Sequence, residues 1–282
     1  MKERITLTLE RGLVEKIDKT VDQHRIKNRS HAIELLLRQA IGLDKPTKAL
    51  ILAGGANYKT NKLKILGTNT PKSLMEIKGK TIIQYNIELL KKYGIIDILI
   101  SISNKSDDIK KILGDGKKFG VTITYIEEKD PLGTAGPVKL AKQFLKETFI
   151  LCNADELKDI DLNDMFAFHA QNKSLATVAL TTTQDPCKYG VALLNGNKIM
   201  TFIEKPAKDH APSNLINAGL YILEPEVINY IPDGFARIET DVFPKLASED
   251  RLCGYPFSGQ WFDTATPENL KEANSKWRGF LQ

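Results

Sequence analysis

Cysteine is scarce and scattered in this chain: Cys152, Cys187 and Cys253, with no pair at metal-ligand spacing. An odd, dispersed set excludes a disulfide framework and suits a reducing cytoplasm. Four histidines, equally dispersed, argue against a zinc site. No apolar run is long enough to span a bilayer; the longest, residues 95–102, carries Asp97. The N-terminus, MKERITLTLE, is charged and alternating, which is wrong for a secretory signal. The expectation is a cytoplasmic protein without a membrane partner. Internal repeats and low-complexity tracts are missing, including the hexapeptide repeats of a left-handed β-helix. No Ser/His/Asp or Cys/His arrangement stands out, which argues against covalent nucleophilic catalysis.

What is present is an ordinary globular composition, 42% hydrophobic and 27% charged over 282 residues. That length accommodates one large domain and a small one. The net charge is +5, and residues 1–43 hold nine Lys/Arg against six Asp/Glu, a local +3. More than half of the excess thus sits in the first sixth of the chain, a weak hint of an anionic partner there.

Residues 1–43 read as a separate unit. Ile5, Leu7 and Leu9 alternate with Arg4, Thr6 and Thr8, a strand pattern. Leu13, Ile17 and Val21 follow at helical spacing, and Ser30 is placed to cap a second helix, residues 30–41. One strand and two short helices cannot bury a core alone, so this unit must pair with something. Residues 44–47 form a linker. Over residues 48–282, strands and helices alternate, which predicts an α/β fold with a mixed, mainly parallel sheet flanked by helices. The first strand, residues 49–53, is followed by Gly54-Gly55 and a lysine-rich loop ending at Pro71-Lys72. Later strands are expected over 97–102, 121–126, 148–152, 175–182, 190–194, 199–203, 218–223 and 252–256, with helices between them.

Ligands of open parallel sheets sit at the carboxyl ends of strands, so residues just after strands are the candidates. Gly54 and Gly55 let backbone approach a ligand, and Lys62 and Lys72 lie among cations suited to phosphate, or to solvent on a plain surface loop. Asp155 and Asp263 each follow a strand; together they suit Mg²⁺, and separately they are a cap and a turn residue. Glu204-Lys205-Pro206 pairs a carboxylate for sugar hydroxyls with a cation for phosphate, or forms a surface ion pair. Leu132-Gly133-Thr134-Ala135-Gly136 opens a helix whose N–H groups suit an anion or base edge, though the glycines also serve a tight turn.

In this order the chain contains LILAGG with PKSL, PLGTAGP, NAD, KYGV, EKP, INAGLYIL, IETDVFPKLA and GQWFDTATP. That series resembles the sugar-1-phosphate nucleotidyltransferases, the NDP-sugar pyrophosphorylases, from Lys48 to the C-terminus. PLGTAGP, KYGV, INAGLYIL and IETDVFP look most like mannose-1-phosphate guanylyltransferases, with glucose-1-phosphate uridylyl- and thymidylyltransferases sharing much of the pattern. The resemblance implies a Rossmann-like nucleotide-diphospho-sugar transferase fold and transfer of a nucleotidyl group from an NTP to a hexose 1-phosphate. It also implies roles: Leu52, Ala53, Gly54, Gly55, Lys72, Gly133 and Thr134 at the nucleotide, and Gly190, Glu204, Lys205 and Asn217 at the sugar phosphate. Asp155 and Asp263 would hold Mg²⁺, with Lys62 and Lys72 at the phosphates during transfer.

Two departures stand out. The family's G-x-G-T-R-L loop is replaced by a longer segment without arginine, and alignment on Leu63 puts Lys62 where that arginine is expected. Lysine keeps the charge and loses the bidentate fork. Asp263-Thr264-Ala265-Thr266-Pro267 replaces D-I-G-T-P. Residues 1–43 resemble a ribbon-helix-helix module, which implies a homodimer through paired strands. It also implies possible DNA contacts by Arg4, Thr6, Thr8 and Ser30. The competing reading is a transcriptional regulator whose enzyme-like domain senses a nucleotide or sugar nucleotide without catalysis.

Overall fold

The computed structural model describes residues 5–21, 26–40, 45–54, 70–103 and 106–280. The expected positions Arg4, Gly55 and Lys62 lie outside them. The chain divides into two compact units, Met1–Lys45 and Pro46–Gln282. Among the described residues no helix is long and apolar enough to cross a membrane.

In the first unit, α1 (Arg11–Asp18) packs on α2 (Arg29–Ala40) through Ile17 and Ala32, both buried. The Arg29 guanidinium grips the Asp18 carboxylate in a two-pronged pair, both bonds 2.7 Å. Asn28 caps α2 in place of Ser30: its Oδ1 accepts from the His31 N–H at 2.9 Å, and Ser30 falls inside the first turn. Residues 5–10 form no strand, and Ile5 and Leu7 are exposed, with Leu13, Leu36 and Leu37. A ladder needs a partner backbone, and a single copy offers none.

The second unit is built on nine strands in the order β5-β4-β1-β6-β11-β8-β12-β10-β9. Its first half is parallel: β1 (Lys48–Leu52) lies between β4 (Asp97–Ser103) and β6 (Phe149–Asn153), and β5 (Thr122–Glu128) flanks β4. These strands read as near-continuous apolar runs because both faces are covered. Ala49, Ile51, Ile98 and Ile100 point into one core, under α3 (Ile82–Lys92), α4 (Asp107–Leu113) and α6 (Leu162–Asn172). Leu50, Leu99 and Leu151 enter the other, with α5 (Gly136–Leu140) and α7 (Phe243–Ser248). The expected helix over 135–145 is therefore a short one, beginning with Pro137 in its first turn.

The other half is mixed. β11 (Leu215–Leu223) runs antiparallel to both β6 and β8 (Ala176–Thr182), and β12 (Leu252–Pro256) is parallel to β8. The hairpin of β9 (Gly190–Asn195) and β10 (Lys198–Glu204) closes the edge. A small ribbon, β2 (Glu76–Ile77) with β3 (Lys80–Thr81), precedes α3. A second ribbon, β7 (Glu156–Lys158) with β13 (Trp261–Asp263), stands apart from the main sheet. It is clamped by a third core in which Ile77, Ile82, Leu157 and Phe262 surround Trp277, just after α8 (Pro267–Lys276). That clamp fixes where Asp155 and Asp263 stand.

Candidate active site

The carboxyl ends of β1, β4 and β6 are level, as their register dictates: Leu52 stands beside Ser101 and Asn153. The Ala53 N–H donates to the Ser101 carbonyl at 2.9 Å, and the Ala154 N–H to that of Leu52 at 3.2 Å. The first glycine of the loop and the turn bearing Asp155 are thereby held side by side. Gly54 packs against the buried Glu128 at the end of β5, so closely that a Cβ there would strike its Oε1. Glu128 in turn accepts from the Ser101 hydroxyl and from the Leu132 N–H, the latter at 3.0 Å. Burial raises its proton affinity.

Leu132 leads into the glycine turn. Gly133 has φ +77°, and a side chain there would run into the Ala236 carbonyl. The turn is pinned to residues 236–239 by Ala236 N–H to Leu132 O and Ala135 N–H to Ala236 O, both 3.0 Å. The Thr134 hydroxyl donates to Glu239 Oε2 at 2.5 Å and accepts from the Ile238 N–H at 2.9 Å. The segment therefore reads as a rigid ledge beside Gly54.

Asp155 sits between β6 and β7. Burial raises its carboxyl's proton affinity most; Lys72 opposes this, and Asp263 adds to it. These three expected residues are thus gathered into one electrostatic neighbourhood. Lys72 arrives on a short 3₁₀ turn after Pro71. Asp263 arrives on β13, where it faces Glu156 in the ladder. The Asp263 carboxylate is fully oriented: Oδ1 accepts from the Ala265 N–H at 2.8 Å, and Oδ2 from the Tyr189 hydroxyl at 3.2 Å and Asn269 at 3.1 Å. The Thr264 hydroxyl donates to the Asp155 carbonyl at 2.7 Å, locking the two segments.

No cluster of three or more His, Cys, Asp and Glu fit for a metal occurs among the described residues. Two juxtaposed carboxylates that disfavour each other's charge still fit a hard cation whose remaining positions are filled by water and phosphate oxygens. The donor set suits magnesium better than zinc, since neither histidine nor cysteine contributes.

On the opposite side, Glu204 pairs with Gly190 across the β9–β10 ladder. A Cβ on Gly190 would come within 2.8 Å of Glu204 Oε2. Lys205 holds φ +48°, bonds its N–H to the Tyr189 carbonyl at 2.9 Å, and keeps Nζ 3.7 Å from Glu204 Oε1. Asn217 lies at a bulge of β11, donating to the Tyr221 hydroxyl at 2.8 Å and accepting from the Gly219 N–H at 2.9 Å. Tyr189 joins the two sides through its bond to Asp263 and an edge contact with Trp261 at 5.4 Å.

Reading the sequence missed several residues. Glu156 accepts from Asn153 Nδ2 at 2.8 Å and from Trp261 Nε1 at 3.1 Å, and burial pushes its carboxyl up to about 7. Lys158, Glu128 and Tyr189 were likewise unassigned. Alternation in Glu156-Leu157-Lys158 could have put the two charges on one face; nothing local signals that the face is buried.

Residues 48–278 match the nucleotidyl transferase family. The chain belongs to it. Among nucleotidyl transferases it is 38% identical over 233 residues to mannose-1-phosphate guanyltransferase 2 of Candida glabrata, covering 79% of this chain and 62% of that protein. It is 36% identical over 229 residues to the mannose-1-phosphate guanylyltransferase catalytic subunit beta of Drosophila melanogaster, covering 79% and 61%. The chain thus spans about six tenths of the length of these relatives. A crystal structure of a Bacillus anthracis protein described as a glucose-1-phosphate thymidylyltransferase, in complex with sucrose, superposes with TM-score 0.74. It is 27% identical, and the match covers 83% of this chain and 96% of that one. The nucleotide-diphospho-sugar transferase fold expected from the motifs is the one present.

Proposed function

We propose that residues 48–282 transfer a nucleotidyl group from an NTP to a hexose 1-phosphate, releasing pyrophosphate, with guanylyl transfer to mannose 1-phosphate the first pair to test. The observation that carries this is the convergence of Lys72, Asp155 and Asp263 beside Gly54, facing the Glu204–Lys205 pair across Tyr189. The relatives, all guanylyltransferases of mannose 1-phosphate by description, support the choice of base and sugar.

In this reading Leu52, Ala53, Gly54 and Gly55 with the Gly133–Thr134 ledge receive the nucleotide. Lys72 neutralises triphosphate oxygens, and Lys62 takes the place of the family's arginine at the α-phosphate. Glu204 accepts sugar hydroxyls while Lys205, Gly190 and Asn217 hold the sugar phosphate. The attacking oxygen belongs to the substrate, so the chain's work is positioning and charge neutralisation. Asp155 and Asp263 would hold Mg²⁺, which bridges phosphate oxygens and offsets their charge when bound. Asp263 is oriented for this by Tyr189, Asn269 and its own turn.

Residues 1–43 pair two copies in this proposal. Ile5, Leu7, Leu13, Leu36 and Leu37 are exposed in one copy, and a second copy would cover them and supply a partner for residues 5–10. Thr6, Thr8 and Arg4 on the paired ribbon, with Ser30, would then face DNA.

Purified full-length protein with Mg²⁺ and a panel of NTPs and hexose 1-phosphates tests the enzyme: pyrophosphate release that vanishes in Asp155→Ala supports it. Silence with every pair leaves the nucleotide-sensing regulator, which the Lys62 substitution favours. Lys62→Ala that retains full activity would show that the loop is aligned wrongly. A DNA shift that is salt-dependent and lost on deleting residues 1–43 supports DNA contact; a change in oligomeric state alone limits the unit to dimerisation.

A further inference from the structure

Lys158 is a charged side chain only 1% exposed, three residues beyond Asp155 and on the far side of the site from the cleft loop. Its Nζ lies 3.4 Å from Asn86 Oδ1 and 3.5 Å from the Asn153 carbonyl. Both are long for N–H···O bonds, and neither acceptor carries charge. A desolvated ammonium with only such partners is costly, so an anion must justify it. The anion in reach is Glu156, with Oε2 at 4.0 Å, and beyond it Asp155.

The surroundings are rigid. Asn86, itself buried on α3, donates to the carbonyls of Ile82, Ala154 and Glu156 at 3.2, 3.4 and 3.1 Å. It thereby ties the Asp155 turn to the helix and presents its oxygen to Lys158. On the cleft side Lys72 faces Asp155, where triphosphate oxygens compete for it; Lys158 is out of any substrate's reach.

We propose that Lys158 is the internal counter-cation of the carboxylate group formed by Asp155, Glu156 and Asp263, and that it sets how tightly this group holds a divalent metal. Three carboxylates and one buried ammonium leave a charge of −2, which one divalent cation balances. Without the ammonium the charge is −3, and the metal is held more tightly than a cation that must share its ligands with departing pyrophosphate should be. Lys158 is a positioning and charge-setting residue in this scheme and touches no reacting atom. The inference rests on Asp155 and Asp263 being the metal ligands, as proposed above.

The test uses the full chain at pH 8, with Mn²⁺ alone as probe, counting free ion by electron paramagnetic resonance. Lys158→Met keeps the length and removes the charge; Glu156→Gln removes the opposing charge. Expected are Mn²⁺ binding about tenfold tighter in Lys158→Met, weaker in Glu156→Gln, and close to wild type in the double variant. A merely space-filling Lys158 would lower the thermal midpoint and leave Mn²⁺ affinity unchanged or weaker, with no restoration in the double variant; that result overturns the proposal. Should Lys158→Met fail to fold, the double variant against Glu156→Gln carries the same comparison, and equal affinities there overturn it too. Mn²⁺ binding that is absent in wild type, or persists undiminished in Asp155→Ala, overturns the ligand assignment and this inference with it. Binding lost in Asp155→Ala but unmoved by Lys158→Met overturns this inference alone.

Discussion

The hydroxyl of Tyr189 donates to Asp263 Oδ2 across 3.2 Å, joining the turn before the sugar-side hairpin to the strand that carries a metal-binding carboxylate. Burial, with the Asp263 charge beside it, drives the phenol's proton affinity far up, so Tyr189 is a donor throughout the working pH range. Tyr189→Phe keeps the ring against Trp261 and deletes the bond. A hydrogen bond to a charged acceptor contributes about 1.5–3 kcal/mol, so kcat/KM should fall about tenfold or somewhat more. Steady-state kinetics at varied metal concentration check this, with the loss partly recovered at high metal.

Gly133→Ala meets two obstacles at once, a φ of +77° and the Ala236 carbonyl where the new Cβ would lie. The expected cost is about 1–3 kcal/mol of stability, read as a lower thermal midpoint. Because the ledge faces the nucleotide side, KM for the NTP should rise more than KM for the sugar phosphate.

Glu128 gives a pH signature. Burial holds its carboxyl above the ordinary 4.5, so the folded protein keeps a proton that the unfolded chain has released. The native state then binds more protons than the unfolded one, and stability falls as pH rises from about 4.5 through the folded value. Glu128→Gln stays neutral, with an oxygen for Leu132 N–H and an amide for Ser101. The thermal midpoint of the variant minus that of wild type should therefore increase with pH across that window. A flat difference would show that Glu128 is not held protonated.

Thiol labelling should distinguish the three cysteines. Cys152 and Cys253 are buried, and burial pushes the Cys152 thiol up to about 11. Cys187 is half-buried on the turn before Tyr189. Native protein should take up one equivalent of a thiol reagent quickly, at Cys187, and three only after unfolding. Fast reaction at Cys152 would contradict the packing of β6 against β1.

Much of the fold was legible because its signals are local. The runs Ala49–Leu52, Ile98–Ile102 and Phe149–Cys152 are apolar throughout, as strands covered on both faces must be. Helical stretches between them carry 3.6-residue periodicity and caps such as Thr81 with Gln84. The order of short motifs was enough to place the family. Less legible were the ends: Asn28 rather than Ser30 caps α2, because either side chain can accept the bond and only the backbone path selects one.

By itself, then, the sequence determined the alternating strands and helices, the nucleotidyl transferase family and the identity of Lys72, Asp155, Asp263, Glu204 and Lys205 as residues at strand ends. Periodicity and glycine placement act within a few residues, and such features need nothing distant. Only the tertiary structure decided that β11 enters the sheet antiparallel between β6 and β8, that Trp277 clamps the β7–β13 ribbon, and that Lys158 is buried behind Glu156. Each of these depends on groups far apart in the chain, and burial is a property of what covers a residue, which its neighbours in sequence do not encode.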